Sequence, residues 1–324
     1  MEKDNLLMTE VTIQGRFYDM ALYSGKLYLW GNDQTLHIYR WNKWMESVVF
    51  SDLPIYQYAL STQFLSLNIS NLAPFLVKEV VISPHMRDFV IFNHTLYLIT
   101  DDGFYSLDTD QAEPHLNKIQ SGSFHLLSLS EKNRMILVSN ETGVYEYRSE
   151  QQKMIHWDDT PTASIVWDNH HILQLDDAKQ PLQLLRFHVS KKEPILLSKV
   201  SKDQLYTQQL YSNTSLLQSH RKEETSNLFG YLSSEETASL DSLLEIVVVQ
   251  NVPHPYLSTP TLDENSLYIE ESDGLYLLLD DKPYLIAQQD YQKYRTFYKS
   301  RNYKHYLHYL TRDTLTILIF HKRT

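Results

Sequence analysis

The chain has 324 residues, no Cys, and 40 Asp or Glu against 29 Lys or Arg, for a formal net charge of −11. The missing thiols exclude disulfides, thiolate metal ligands and a Cys nucleophile. The length admits two ordinary domains or one large all-β domain, and 23 Tyr with 12 Phe give enough apolar material to exclude a disordered or low-complexity chain.

The N-terminus, MEKDNLLMTEVTIQ, mixes charges with a short apolar run and lacks the long apolar segment of a signal peptide. Residues 6–14 then alternate as a strand with no adjacent partner. Residues 17–23 and 26–30 make a hairpin over Ser24-Gly25, and 35–41 continue it, with 48–50 as an outer strand. Tightly spaced strands follow at 55–60, 63–69 and 74–82. Residues 88–92 and 95–100 lead into TDDGFYSLD, and the same entry recurs at 124–139 and 164–175. Residues 198–250 are the least regular; Ser233 and Glu236 have capping-box spacing, so a short helix is expected at 233–244, within an insertion at 219–244. Regular strands resume from 258 and run to 320. The longest apolar runs, LLEIVVVQ and LTILIF, are strand-length, short of the roughly 18 residues of a membrane span. A soluble, cytoplasmic protein with no membrane partner is expected.

The apolar strands before each polar turn centre on Leu27, Leu96, Ile136, Ile172, Leu267 and Tyr306, with weaker examples at Phe64 and Leu216. Taken in order, the gaps are 37, 32, 40, 36, 44, 51 and 39 residues. A repeat near this length with several short strands in each is the pattern of a β-propeller blade. The expected fold is all-β, a β-propeller formed by residues 1–324 as a single domain, with seven blades favoured and eight the alternative. Paired β-sandwiches are the rival, and they do not explain the repeated hairpin. The last unit supplies three strands, so the N-terminal strand is expected to complete the C-terminal blade, residues 11–14 pairing with 316–320. Closing the ring this way removes an exposed strand edge.

TDDGFYSLD, SNETGVYEY and ESDGLYLLL carry Gly103, Tyr105, Gly143, Tyr145, Gly274 and Tyr276 at matching places. These turns resemble those of quinoprotein-like and two-component-regulator propellers. The resemblance implies a fold and no activity. Its turn chemistry implies a Gly at positive φ before the second strand and a Tyr packed between neighbouring blades. Asp33-Gln34-Thr35, Asp176-Asp177-Ala178 and Arg312-Asp313-Thr314 lack the Gly, so the other repeats have diverged.

Residues that could carry chemistry are few. His170 and His171 are adjacent on a strand, where successive side chains face opposite ways, so they do not make a metal pair. Asp101-Asp102, Asp158-Asp159, Asp176-Asp177 and Asp280-Asp281 fall at turns, where Asp is favoured for local hydrogen bonds. There is no G-x-S-x-G, H-E-x-x-H, phosphate-binding Gly loop or EF-hand loop, and no cofactor is expected. Residues 287–324 carry eight Lys or Arg against two Asp, a net of +6 that leaves −17 elsewhere. Lys293, Arg295, Lys299, Arg301 and Lys304 are therefore the candidate contacts for another protein or an acidic peptide. Basic residues interleaved with Tyr can also hold single-stranded nucleic acid, the lesser alternative beside so acidic a remainder. Trp41 and Trp44 are candidate apolar anchors at an interface, against the competing reading of a place between blades. These features point to a binding scaffold or recognition subunit. The alternative is a hydrolase or lyase with carboxylates and His at the central channel.

Overall fold

The computed structural model describes residues 8–48, 63–82, 85–201 and 267–320, apart from 112, 130–133, 168–169, 179, 190–193, 272, 280–281, 289, 298–299, 301 and 304. The chain divides into two compact units, Met1–Ser83 with Tyr256–Thr324, and Pro84–Pro255. Among the described residues there are six sheets, nearly all antiparallel. The expected insertion at 219–244, its helix and the anchor at Leu216 lie outside the described residues, and so does part of the count of seven blades.

The first unit opens with β1 (Met8–Gln14), followed by the hairpin of β2 (Phe17–Tyr23) and β3 (Lys26–Gly31), and then β4 (Thr35–Tyr39). Ser24 and Gly25 have φ of 48° and 76°, the two left-handed residues that a tight hairpin turn requires. The chain then leaves this sheet through α1 (Trp41–Val48), β5 (Gln63–Asn68), a four-residue helix (Ile69–Leu72) and a 3-10 turn (Ala73–Phe75). It returns as β6 (Leu76–Val81), which pairs with β4. The outer strand expected at 48–50 is therefore β6. Trp41 and Trp44, three residues apart, put one helical face of α1 into the core.

The second unit holds three four-stranded sheets in chain order. The first contains β7 (Met86–Phe92), β8 (Thr95–Thr100), β9 (Gly103–Asp108) and β10 (Leu116–Ser121). The second contains β11 (Leu126–Leu129), β12 (Met135–Ser139), β13 (Gly143–Arg148) and β14 (Lys153–Asp158). The third contains β15 (Ser164–Trp167), β16 (His171–Leu175), β17 (Pro181–Val189) and β18 (Pro194–Ser201).

The chain re-enters the first unit with β19 (Leu267–Glu271), β20 (Gly274–Leu279) and β21 (Lys282–Gln288), then β22 (Lys293–Thr296), β23 (Tyr306–Leu310) and β24 (Thr314–Phe320). The expected strand pair is present in a different register, with residues 11–14 opposite 317–314 and 318–320 opposite 10–8. β1 lies antiparallel to β24, with Met8 opposite Phe320 and Gln14 opposite Thr314. β5 then adds to β1 in parallel, so the closing sheet has the order β22-β23-β24-β1-β5. The anchor at Phe64 thus marks an extra strand on this sheet and not a separate repeat.

The three repeated hairpins share a geometry that the residue pattern only half conveys. A Cβ on Gly103, Gly143 or Gly274 would lie 2.5, 2.1 or 2.4 Å from the carbonyl oxygen of Gln120, Asp158 or Ala287 on the neighbouring strand. In each sheet that strand is bulged beside the Gly, with Ile119, Trp157 or Ile286 as the extra residue. Of the three, only Gly143 has a left-handed φ, at 82°. Close approach of a bulged strand, and not positive φ, is the common demand.

Apolar side chains alternate off the strands into seams between successive sheets. In the first unit Val11, Ile13, Leu315 and Ile317 of the closing sheet meet Phe17, Met20, Leu22, Leu27 and Leu29, with Trp41 and Trp44 in the same cluster. On the opposite face Met8, Leu307, Leu318 and Phe320 meet Leu275, Leu277 and Ile286. In the second unit Phe104 and Tyr147 pack edge to face at 5.2 Å, beside Tyr97 and Leu137. Each such fully buried side chain contributes about 1.5–3 kcal/mol through area removed from water. Of the hairpin Tyr, Tyr145 packs against the cluster of Phe104 and Tyr147, as expected.

Candidate functional site

Two of the basic candidates, Lys293 and Arg295, lie on β22 and reach the same carboxylate. Asp19 sits at a bulge in β2 and is wholly buried. It accepts from the Met20 amide (2.8 Å), from Arg295 Nε and Nη2 (2.6 and 2.7 Å) and from Lys293 Nζ. Burial pushes the Asp19 carboxyl up, but the charges and hydrogen bonds of Arg295 and Lys293 outweigh it and hold the group below the usual carboxylate range. Lys293 also stands 5.6 Å from the centre of the Tyr18 ring. Lys299, Arg301 and Lys304 lie outside the described residues.

The two candidate anchors are inside the protein. Trp41 and Trp44 are buried and tilted against each other at 4.7 Å, so neither presents a surface to a partner. The i, i+3 spacing of two Trp on an eight-residue amphipathic helix was the available signal, and it belongs to a core-facing stripe. Trp157 and Trp167 also serve internally: their Nε1 groups donate to Glu146 (2.9 Å) and Ser128 (2.9 Å).

The second unit repeats the use of a carboxylate as a tie between sheets. Asp88, bulged on β7 as Asp19 is on β2, accepts from its neighbour Phe89 N (2.8 Å) and from Leu127 N on β11 (3.2 Å). Asp158 accepts from Lys199 Nζ of β18 and Gln174 Nε2 of β16, at 2.5 and 3.3 Å. Burial raises its pKa, yet the bonds from Lys199 and Thr160 leave it well below the ordinary value. Glu146 is buried with Arg134, whose Nη2 donates to it at 2.8 Å and whose guanidinium lies 4.6 Å from the Phe187 ring centre.

The turn acids behave as turn chemistry predicts, with one addition. Tyr105 Oη donates to both Asp102 oxygens at 2.8 Å, and Tyr276 Oη to Asp273 at 2.7 Å. Hydrogen bonds from Thr100, then Lys118 and Tyr105, hold Asp102 at about 2. Asp176 accepts from the Gln180 amide. Tyr145, where Thr142 replaces the Asp, stacks instead on His156 at 4.3 Å. Asp19, Asp88 and Glu146 carried no pattern in the sequence; a lone acid in an apolar strand was the only hint.

Histidine is used as core material. His171 is buried opposite Arg186, and no cluster of three metal-ligating side chains occurs among the described residues. His308 is completely buried beside Phe297, its ring nitrogens making no hydrogen bond among the described residues. Burial, and then the nearby Arg295 charge, push it down to about 3, so the imidazole is neutral at ordinary pH. A group that transfers protons titrates near the working pH, and His308 does not. Asp19, Asp102 and Asp158 are held below the usual carboxylate range and His308 far below the usual imidazole range.

No family model matches the chain, and no curated protein matches it. Solved structures do. The N-terminal domain of Nup159 is 10% identical over 95% of this chain and 90% of that one, with a TM-score of 0.51. The fold is a β-propeller. The Neurospora crassa Pan2 WD40 domain is 6% identical over 99% and 96%, TM-score 0.49. A structure of S. cerevisiae Dbp5 bound to Nup159, Gle1, IP6 and ADP is matched at 8% identity over 92% of this chain, TM-score 0.39. The chain spans 58% of the length of that matched chain. Within this propeller, β2 and β22 are the first strands of their blades, and Asp19 ties one blade to the other. Among the described residues no helix is long and apolar enough to cross a membrane.

Proposed function

We propose that this propeller is a cytoplasmic binding scaffold or recognition subunit whose partner is another protein. The observation that carries the reading is the state of the buried acids. Asp19, Asp158 and Glu146 are each engaged by Lys, Arg or amide donors in holding strands together, so they stabilise the frame rather than act on a substrate. A rigid frame of this kind leaves recognition to loops and exposed strand edges, which can vary without loss of the core. Ile195 and Leu197 on β18, the last strand of its sheet among the described residues, are exposed apolar side chains suited to such contacts. A hydrolase or lyase built on carboxylates gains no support, because Asp102 and Asp158 are ionised far below neutral pH.

Affinity capture from the native host, with cross-linking and mass spectrometry, tests the reading. A stoichiometric protein partner is expected. Turnover of an ester or glycoside by the purified protein, with no partner retained, would overturn it.

A further inference from the structure

We propose that His308 makes the seam between β22 and β2 acid-sensitive: a proton on its imidazole releases β22 without unfolding the whole chain. Such a release goes beyond the scaffold reading and is independent of it. Arg295 and His308 stand directly opposite each other on β22 and β23, so their side chains share one face of the closing sheet. On that face Arg295 reaches across to β2, where it and Lys293 hold the wholly buried Asp19. His308 is itself inaccessible, and neither ring nitrogen has a hydrogen bond among the described residues. An imidazolium there would be a second cation beside Arg295, whose guanidinium can only donate hydrogen bonds.

From β22 the imidazole faces Arg295, with Asp19 and Lys293 beyond it; from β24 the opposite residue is Ile317. Phe297, after β22, and Tyr306, on its own strand, hold their rings 4.8 and 6.4 Å away. Tyr306 is pushed up to about 12 by burial and then by Tyr303, and Asp19 is held below the usual carboxylate range, so neither changes charge between about pH 7.5 and 4.5. His308 is the group among these that gains a proton in that window once water reaches it. β22 is the strand that can give way. It is four residues long, half-buried throughout, and at the end of its sheet, whereas β24 is seven residues long and lies between β23 and β1. Short, poorly buried elements open locally at a lower cost than the whole fold.

The test is hydrogen exchange with mass spectrometry on the full chain from about pH 7.5 to about pH 4.5, each rate corrected for intrinsic exchange. Peptides carrying β22 and β23 are expected to lose protection about tenfold for each pH unit below 6.5, because the open form takes up a proton at the ordinary imidazole value and the closed form does not. β8 and β9, which contain no His, are expected to keep theirs. His308→Leu and His308→Gln remove the proton site, and either is expected to make the protection of β22 and β23 independent of pH. Thermal melts identify a variant that fails to fold; the other then decides, and the wild-type pattern decides without either. Steady protection of β22 and β23 across the range, an equal loss in β8 and β9, or a pH dependence that survives in a folded His308 variant would overturn the release. None of these readouts involves a partner, so a captured stoichiometric protein leaves the scaffold reading standing whatever their outcome.

Discussion

The Tyr303 hydroxyl accepts a 2.6 Å hydrogen bond from the amide of Gly25, 278 residues away in sequence. Gly25 lies in the β2–β3 turn, and its carbonyl in turn accepts from the Asn42 amide on α1 at 3.2 Å. The loop between β22 and β23, the β2–β3 turn and α1 thus share one half-buried polar junction. Tyr303→Phe keeps the ring in the core but strands the Gly25 N–H. Urea denaturation should show a loss of about 1–3 kcal/mol, the desolvation cost of an unmet donor. No loss would mean that water satisfies this amide instead.

The repeated glycines give a graded prediction. Gly143→Ala combines a left-handed φ of 82° with a Cβ 2.1 Å from the Asp158 carbonyl, whereas Gly103→Ala meets only the contact, at 2.5 Å from Gln120. Both should destabilise, and Gly143→Ala more, by roughly 1–2 kcal/mol of added backbone strain. The two melting temperatures, measured side by side, check the order.

These glycines also mark how far the residues could be read in advance. The recurrence of Gly103, Gly143 and Gly274 was visible and identified the fold. Its cause was not, because a bulge at the far end of the next strand leaves no local pattern. The closing pair β1 and β24 was legible because a lone alternating strand at one end needed a partner and the other end lacked one. β5 was not, since a strand that crosses to another sheet looks the same as one that stays. For the candidate site, Lys293 and Arg295 stood out as charges. Asp19 did not, because FYDMALY reads as an ordinary apolar strand, and only its long-range pairing gives the acid a role.

Glu146 provides the test of a buried ion pair. Glu146→Gln leaves the Arg134 charge buried, since Arg134 and Glu146 are both almost inaccessible. Removing one partner of such a pair typically costs about 3–5 kcal/mol. Calorimetry should show a drop of that order. A change near zero would mean that Arg148, which also approaches Glu146 at 3.4 Å, does not depend on it and that the cluster relaxes.

His308 sets a pH dependence. Its pKa falls from 6.5 in the unfolded chain to about 3 in the folded one, so the unfolded state binds the proton more tightly. The stability is fully present above pH 6.5 and is lost as the pH falls from 6.5 towards 3. The shift corresponds to on the order of 4–5 kcal/mol. Arg295, opposite His308 on β22 and itself bonded to Asp19 of β2, is the charge that acts on the imidazole, and it adds to burial in opposing the proton. His308→Leu should flatten the stability profile between pH 6.5 and 4. The lowered carboxylates Asp19 and Asp158 act in the same direction only below their ordinary pKa of 3.8, so the two windows separate.

The proposed scaffold depends on β1 and β24 lying in one sheet, and a disulfide tests that directly. Thr12 and Thr316 face each other across β1 and β24, and the chain has no other Cys to interfere. Opposed residues of an antiparallel pair lie about 4.5–5.5 Å apart at Cα, within disulfide range. In the Thr12→Cys/Thr316→Cys variant, mild oxidation of the folded protein should cross-link the termini nearly completely within one chain and raise the melting temperature. Cysteines that stay free in the folded protein, or that link only between molecules, would contradict the closure and the platform built on it.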